Sequence, residues 1–309
     1  MTVGVPVRNG GGLLPAALRT LLDQSLDELE IVISDNGSTD DTPAVAAAFA
    51  AEDARVRYVR HDPPLTVWEN FRFLVDEARG EYFMWAAHDD ARNETYVERL
   101  VQALGDHPDA VLAYGDVVWF SDPEDRASNP RVTYDFNWDG HSYYRKLRKV
   151  LLSKCSEIYG VFRTEALRRY SWITTDYGVD IPLLLHMRVL GDFVHADGAT
   201  IYEWRPETDK EPDERARQNF YRPLRPFRVA RLAWVCMTAA AEAATRGGEP
   251  PRRVRTLAYG YLILRADRTK IWLYPRLPQP IRRAWRRYKP VPTAFPAAAR
   301  LTAQEGPAS

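Results

Sequence analysis

Cysteine is almost absent from this 309-residue chain: Cys155 and Cys236 stand alone, with no CxxC pair and no histidine at ligand spacing. That excludes a disulfide framework and a structural zinc site, and suits a reducing compartment. No apolar run approaches the roughly 18 residues that cross a bilayer. The longest, Leu232 to Ala241, is flanked by Arg231 and Glu242. Met1 to Val5 runs straight into strand-type residues, without the basic and apolar regions of a signal peptide. Net charge is also lacking, at 42 basic against 42 acidic residues. With 45% hydrophobic and 27% charged residues, the composition excludes collagen-like, low-complexity and wholly disordered chains. The length suits about two domains, or one large α/β domain with additions.

The even charge total conceals an asymmetry. Residues 221–309 hold 18 Lys+Arg against 4 Asp+Glu, a net +14, so residues 1–220 carry −14. A segment this basic suits an anionic partner. Within it, Ile281, Trp285 and Tyr288 fall on one face of a helix, and Arg282, Arg283, Arg286 and Arg287 lie largely on the other. Such a helix either lies on an anionic membrane surface or docks on the acidic part of the same chain. No recognition motif accompanies the charge, so nucleic acid is not expected as a partner. The composition shifts to Arg, Ala, Pro and Trp beyond Glu207. The expected division is therefore a domain over 1–210 and a basic, mainly helical C-terminal extension over 211–309 with a disordered end.

Along the first 120 residues, strand and helix patterns alternate. Val3–Val7, Glu30–Ser34, Val56–Val59, Glu81–Trp85 and Ala110–Phe120 read as strands. Apolar residues at helical spacing lie between them: Leu14 to Leu22, the alanine-rich run to Ala51, Val67 to Ala78, and Val97 to Leu104. Ser38 or Thr39 is the expected cap of the second helix, and Gly80 the expected left-handed residue closing the third. The alternation predicts an α/β fold with a mostly parallel sheet covered on both faces. Ligands of such sheets collect at the strand carboxyl ends. Asn9, Asp35, His61, Asp89 and Asp90 all fall at predicted carboxyl ends and are expected to share one rim. Further on, a polar and aromatic stretch at 121–145 reads as a long loop. A strand at 159–162, an apolar helix from Asp180 to Leu190 and two short strands near 192–203 follow.

Adjacent carboxylates after a strand, as in His88-Asp89-Asp90, are costly to hold together without a cation. Oxygen ligands of this kind suit Mg2+ or Mn2+ shared with a substrate diphosphate. They also serve simply to end the strand and start a helix. Asp35 has two readings too: an acceptor for a nucleoside, or an Asx-turn residue in a Gly-Ser-Thr loop. The Asn9-Gly10-Gly11-Gly12 segment invites a dinucleotide-binding reading, with Asp35 as the ribose acid. Pro15 stands where that fingerprint needs a small residue for close helix–strand packing. His186 and His195, in apolar surroundings, are expected to be packed or hydrogen-bonded rather than ligating. Trp138, Tyr143 and Tyr144 either stack on sugar faces or pack within their own loop.

Taken together, the segments VGVPVRNGGG, LEIVISDNGSTDDT and FLVDEARGEYFMWAAHDD resemble the family 2 glycosyltransferases of GT-A fold in order and spacing. The resemblance continues through IYGVFRTEALRR, in the 156–169 region, and YGVDIPLLLHMRVLGDFVHADGATIYEWR at 177–205, covering about residues 2–205. It implies a Rossmann-like, mostly parallel sheet flanked by helices. It further implies an inverting, metal-dependent enzyme using a nucleotide-diphospho-sugar, a UDP- or dTDP-sugar, as donor. The implied acceptor is a hydroxyl of a glycan or lipid-linked sugar in cell-envelope polysaccharide synthesis, at a cytoplasmic site, with peripheral membrane contact on the membrane reading of the basic segment.

Carried over by position, Pro6, Val7, Arg8 and Asn9 would line the nucleotide pocket, Asp35 would bind the base, and Asn70 would lie near the donor. Asp90 would ligate a divalent cation, Mn2+ or Mg2+, with His88 and Asp89 supporting it or touching the donor. Asp180 would be the general base. His88 stands where the motif's first Asp usually is, which leaves metal ligation mainly to Asp90. The absence of a Q-x-x-R-W segment and of membrane spans argues against a processive synthase. Two other classes stay open at this level: a catalytically silent nucleotide- or carbohydrate-binding module on the same fold, and a nicotinamide-dependent dehydrogenase.

Overall fold

A computed structural model describes residues 1–120, 131–132, 156–170, 172 and 180–204. The expectations for the loop at 121–145, the boundary near 207–220 and the basic segment at 280–288 lie outside the described residues.

Within them, β1 (Thr2–Val7), β2 (Glu30–Asp35), β3 (Val56–Arg60) and β4 (Tyr82–Trp85) alternate with α1 (Leu14–Leu22), α2 (Thr42–Glu52) and α3 (Val67–Asp76). Next come β5 (Ala91–Arg92), α4 (Tyr96–Asp106), β6 (Ala110–Phe120) and β7 (Arg131–Val132). A 3-10 turn at Ser156–Tyr159, β8 (Val161–Arg163), α5 (Thr164–Arg168), α6 (Asp180–Leu190) and β9 (Asp192–Trp204) complete the order. The strands form one sheet in the order β3-β2-β1-β4-β8-β6-β9-β5, with β7 on β6. Strands β1 to β4, β6 and β9 share one direction; β8, β5 and β7 run against it. The sheet is mostly parallel, as the alternation predicts.

Both faces are covered, so the central strands read as unbroken apolar runs. Val3, Val5, Ile31, Val32 and Ile33 are completely buried. Leu14, Leu18 and Leu21 of α1 and Tyr96, Val97, Leu100 and Leu104 of α4 pack one face. Leu74 and Val75 of α3, Leu167 of α5, and Leu183, Leu184 and Met187 of α6 pack the other. Each such side chain contributes roughly 1.5–3 kcal/mol on leaving water.

Local details depart from expectation. Helix α3 stops at Asp76, capped by Thr66 and Glu69 at its start in a reciprocal capping box. Gly80 does not adopt a left-handed backbone; a Cβ there would sit 2.8 Å from the Met1 backbone, so glycine serves close approach rather than a turn. Helix α2 begins at Thr42 without Ser38 or Thr39 as its cap. Asp40 instead accepts from the Thr42 N–H at 3.1 Å and from its hydroxyl. The two short strands expected near 192–203 are one strand interrupted by a bulge. Tyr114 faces His195, but Asp116 faces Thr200, so residues 196–199 loop out.

That bulge is pinned by His195. Its Nε2 lies 3.0 Å from Asp116 Oδ1 and its Nδ1 3.1 Å from Asp197 Oδ1. Both nitrogens can donate only when the ring is an imidazolium. The hydrogen bond to buried Asp116 raises the His195 pKa above 6.5, overcoming desolvation. Arg99, which donates to the Asp197 carbonyl at 3.2 Å, and the Tyr114 ring complete the surroundings. A raised folded-state value means the stabilisation is complete below about pH 6.5 and is lost as pH rises through that raised value. His195→Gln should therefore lower the melting temperature most near about pH 6, with the gap from wild type narrowing toward about pH 9. Melting curves of both proteins across that range test this; a constant gap would refute the ion-pair account.

Candidate active site

Where β1 ends, three successive backbone N–H groups lose their strand partners and find side chains of the loop after β2. Asn9 N–H donates to Ser38 Oγ at 2.9 Å, Gly10 N–H to Thr42 Oγ1 at 2.9 Å, and Gly11 N–H to Asp40 Oδ2 at 3.1 Å. Asn9 turns the chain in a left-handed conformation (φ 54°), which asparagine tolerates better than most residues. Its Oδ1 accepts from Thr39 N–H at 2.8 Å. Pro6 is half-buried and Val7 buried, whereas Arg8 and Asn9 are exposed at the rim. Backbone bonds continue the rim sideways: Asn36 N–H to Val7 O, His61 N–H to Asp35 O, and Ala86 N–H to Gly4 O. The carboxyl ends of β1 to β4 are thus one continuous edge, with Asn9, Asp35 and His61 along it.

Asp35 has no exposed surface. Its Oδ1 accepts from Ser38 N–H at 2.8 Å and its Oδ2 from Tyr58 OH at 2.9 Å, with Arg60 at 3.5 Å. Asn70 is likewise buried. Its Oδ1 accepts from Ser34 Oγ, and its Nδ2 donates to Ser34 O at 3.3 Å, so it latches α3 to the end of β2. With Asp35 unexposed and Asn70 3% exposed, contact of either residue with a ligand would require the edge to open around it.

The segment after β4 brings His88 onto the same edge. A Cβ on Gly10 would lie 2.2 Å from His88 Cδ2, so the imidazole occupies the space that glycine leaves. His88 and Asp89 are half-buried; Asp90 is 5% exposed. Asp90 Oδ1 accepts from Trp204 N–H at 3.0 Å, at the end of β9. No hydrogen-bond donor reaches Oδ2 among the described residues. Burial pushes the Asp90 carboxyl up to about 7 against the pull of Arg92, with Asp89 and Glu203 adding to the rise. No cluster of three His, Cys, Asp or Glu side chains suited to a metal occurs among the described residues. The donor set fits a hard cation held by one or two carboxylates, with water and phosphate oxygens filling its shell, rather than an all-protein cage.

Asp180 is the first residue of α6 and half-buried. Helix α6 packs on β6, β9 and α5, with buried Leu183, Leu184 and Met187 fixing its inner face. Two residues here escape sequence reasoning. Arg92 is 4% exposed, its guanidinium lies over the Tyr96 ring at 5.8 Å, and it forms no hydrogen bond among the described residues. Trp204 matters through its backbone N–H, which no side-chain pattern reveals. Spacing of two from Asp90, just before β5, was the available signal for Arg92.

A polar edge at the carboxyl ends of a mostly parallel sheet, joined to an antiparallel β8 and a crossing β9, is the architecture of GT-A glycosyltransferases. Residues 2–171 match glycosyl transferase family 2, and the chain belongs to that family. A PGL/p-HBAD biosynthesis glycosyltransferase of Mycobacterium bovis is 30% identical over 115 residues, 37% of this chain and 45% of that protein. Glycosyltransferase GlyG of Streptococcus pneumoniae is 30% identical over 104 residues, 34% and 35% of the two chains. The matches thus span less than half the length of these curated relatives. The structure of S. aureus TarS 1–349 in complex with UDP-GlcNAc superposes with a TM-score of 0.62 at 12% identity, covering 92% of this chain and 78% of that one. Mannosyltransferase PcManGT from Pyrobaculum calidifontis, in complex with GDP-Man and Mn2+, gives a TM-score of 0.51 at 20% identity, covering 87% and 86%. At these identities the likeness is one of fold. Among the described residues no helix is long and apolar enough to cross a membrane.

Gly10→Ala tests the edge directly. The added methyl must displace His88, so overpacking should cost about 1–3 kcal/mol. Binding of a nucleoside diphosphate should weaken by about tenfold or more. Thermal melts and calorimetric titration measure both; an unchanged melt and affinity would show that His88 is not seated against Gly10.

Proposed function

We propose that the chain transfers a sugar, with inversion, from a UDP- or dTDP-sugar to a hydroxyl of a glycan or lipid-linked acceptor in cell-envelope polysaccharide synthesis. The observation that carries this reading is the buried Asp90 carboxylate at a strand carboxyl end, with one oxygen tied to Trp204 and the other lacking a donor among the described residues. The complexes of TarS with UDP-GlcNAc and of PcManGT with GDP-Man and Mn2+ support a nucleotide-sugar donor and a divalent cation.

In this reading Pro6, Val7, Arg8 and Asn9 line the nucleotide side of the edge, and Asp35 and Asn70 hold its walls. His88 and Asp89 face the diphosphate. Asp90 holds the cation, Mn2+ or Mg2+, which when bound neutralises charge developing on the leaving diphosphate. Asp180 takes the proton of the acceptor hydroxyl as that oxygen attacks the anomeric carbon. Attack comes from the face opposite the diphosphate, whose β-phosphate oxygen, released from the anomeric carbon, keeps the electron pair of the broken bond. One displacement inverts the anomeric centre. The reaction belongs on the cytoplasmic side, where the basic segment at 280–288 would meet an anionic membrane.

Asp180→Asn keeps shape and removes the base. Turnover should fall about 100- to 10,000-fold, while donor affinity and melting temperature stay at wild-type values. Asp90→Asn should abolish the Mn2+-dependent increment in donor affinity measured by calorimetry, and chelation should do the same to wild type. Retained turnover in Asp180→Asn would remove that residue from the mechanism. An Mn2+ increment surviving in Asp90→Asn would move the cation elsewhere.

A further inference from the structure

At the carboxyl end of β3, His61 is held in one place and one tautomer. Ser34 has a single hydroxyl proton, and it is donated to Asn70 Oδ1. The Asn70 amide orientation is fixed in turn, because its Nδ2 donates to Ser34 O at 3.3 Å. The Ser34 oxygen must therefore accept from His61 Nε2, 2.8 Å away. In a neutral ring this leaves Nδ1 as a bare acceptor. Desolvation lowers the His61 pKa below 6.5, which keeps the ring neutral at physiological pH. No described residue hydrogen-bonds to Nδ1, and the side chain is half-buried rather than sealed.

The ring is immobilised from every side. Phe73 meets it edge-on with centroids 4.6 Å apart. The His61 backbone N–H donates to Asp35 O at 2.9 Å. The loop beyond it is clasped by Asn36, whose Nδ2 donates to Leu65 O at 2.9 Å and whose Oδ1 accepts from Leu65 N–H at 2.7 Å. Gly37, left-handed at φ 68°, lets Pro64 approach to where a Cβ would clash at 2.6 Å. An acceptor fixed this firmly before any ligand arrives can discriminate between ligands. Asp35, the acid expected to meet the base, spends both oxygens on Ser38, Tyr58 and Arg60.

We infer that His61 reads the nucleobase of the donor, its Nδ1 accepting a hydrogen bond from the imide N3–H of uracil or thymine. This rests on the UDP- or dTDP-sugar reading and adds the residue that enforces it. The imide N3–H is the one N–H of either base, so an acceptor on the protein meets its single donor. Losing that donor leaves Nδ1 facing a methyl group instead.

The test is calorimetric titration of the full chain with UDP, dTDP and N3-methyl-UDP in the presence of Mn2+. Wild type should bind UDP and dTDP about tenfold or more tightly than N3-methyl-UDP. His61→Ala, its fold checked by melting temperature, should bind UDP and N3-methyl-UDP equally. Ser34→Ala, which frees the ring to carry its proton on Nδ1, should lose the preference while keeping His61. Equal binding of UDP and its methylated form by wild type would overturn the assignment whatever the variants do, as would a preference that survives in His61→Ala. Failure of both UDP and dTDP to bind wild type would instead sink the donor reading, and this inference with it.

Discussion

The N–H groups that β1 leaves behind when it ends organise everything at the edge of the sheet. Asn9, Gly10 and Gly11 lie where no neighbouring strand can accept from them, and the site of Gly10 is buried. A buried N–H without a partner costs roughly 1–3 kcal/mol, so leaving those of buried Gly10 and Gly11 unpaired would undo the turn. Ser38, Thr42 and Asp40 supply the acceptors, and all three come from the loop after β2. The two loops must therefore close together. That closure sets the left-handed turn at Asn9, places Gly10 beneath His88, and sends α2 off from Thr42.

Much of this architecture is legible in the chain, because parallel strands buried on both faces leave long apolar runs between helical spacings. The rim residues are legible for the same reason: polar side chains at the ends of such runs have to lie at the carboxyl edge. What the residues do there is harder to read. Gly80 looks like a helix terminator until Met1, far away in sequence, is found against it. Ser38 looks like a helix cap until Asn9 takes its hydroxyl. His195 sits in an apolar stretch, yet its partners Asp116 and Asp197 make its surroundings ionic. In each case the deciding contact joins segments that local propensity cannot connect. Strand β5 is two residues long, too short for any periodicity, and its pairing with β9 carries Asp90 to the Trp204 N–H.

Two buried carboxylates meet opposite fates. Asp35 is enclosed but fully bonded, with an N–H, a hydroxyl and a guanidinium sharing its oxygens. Asp90 is nearly as enclosed, yet among the described residues one backbone N–H is all that bonds it, and burial drives its pKa up to about 7. Arg92 offsets part of that rise through charge, since its nitrogens form no hydrogen bonds among the described residues. A buried charge compensated this loosely is a poor structural element. It is a good place for a cation that arrives with its own oxygen ligands.

The difference between Asp35 and His61 follows from strand geometry. Neighbouring residues of a strand point to opposite faces, so Ser34 and Asp35 serve different neighbours. Register places Asp35 beside Arg60 and Ser34 beside Val59. Asp35 therefore joins Tyr58 and Arg60 and is sealed by them. Ser34 turns toward α3 and meets Asn70, and His61, one residue past Arg60, falls on that same side. The hydroxyl of Ser34 has one proton to give, and α3 takes it. The imidazole must then donate from Nε2 and keep Nδ1 empty-handed. A serine and an asparagine 36 residues apart thus decide which nitrogen of a third residue can accept from a ligand.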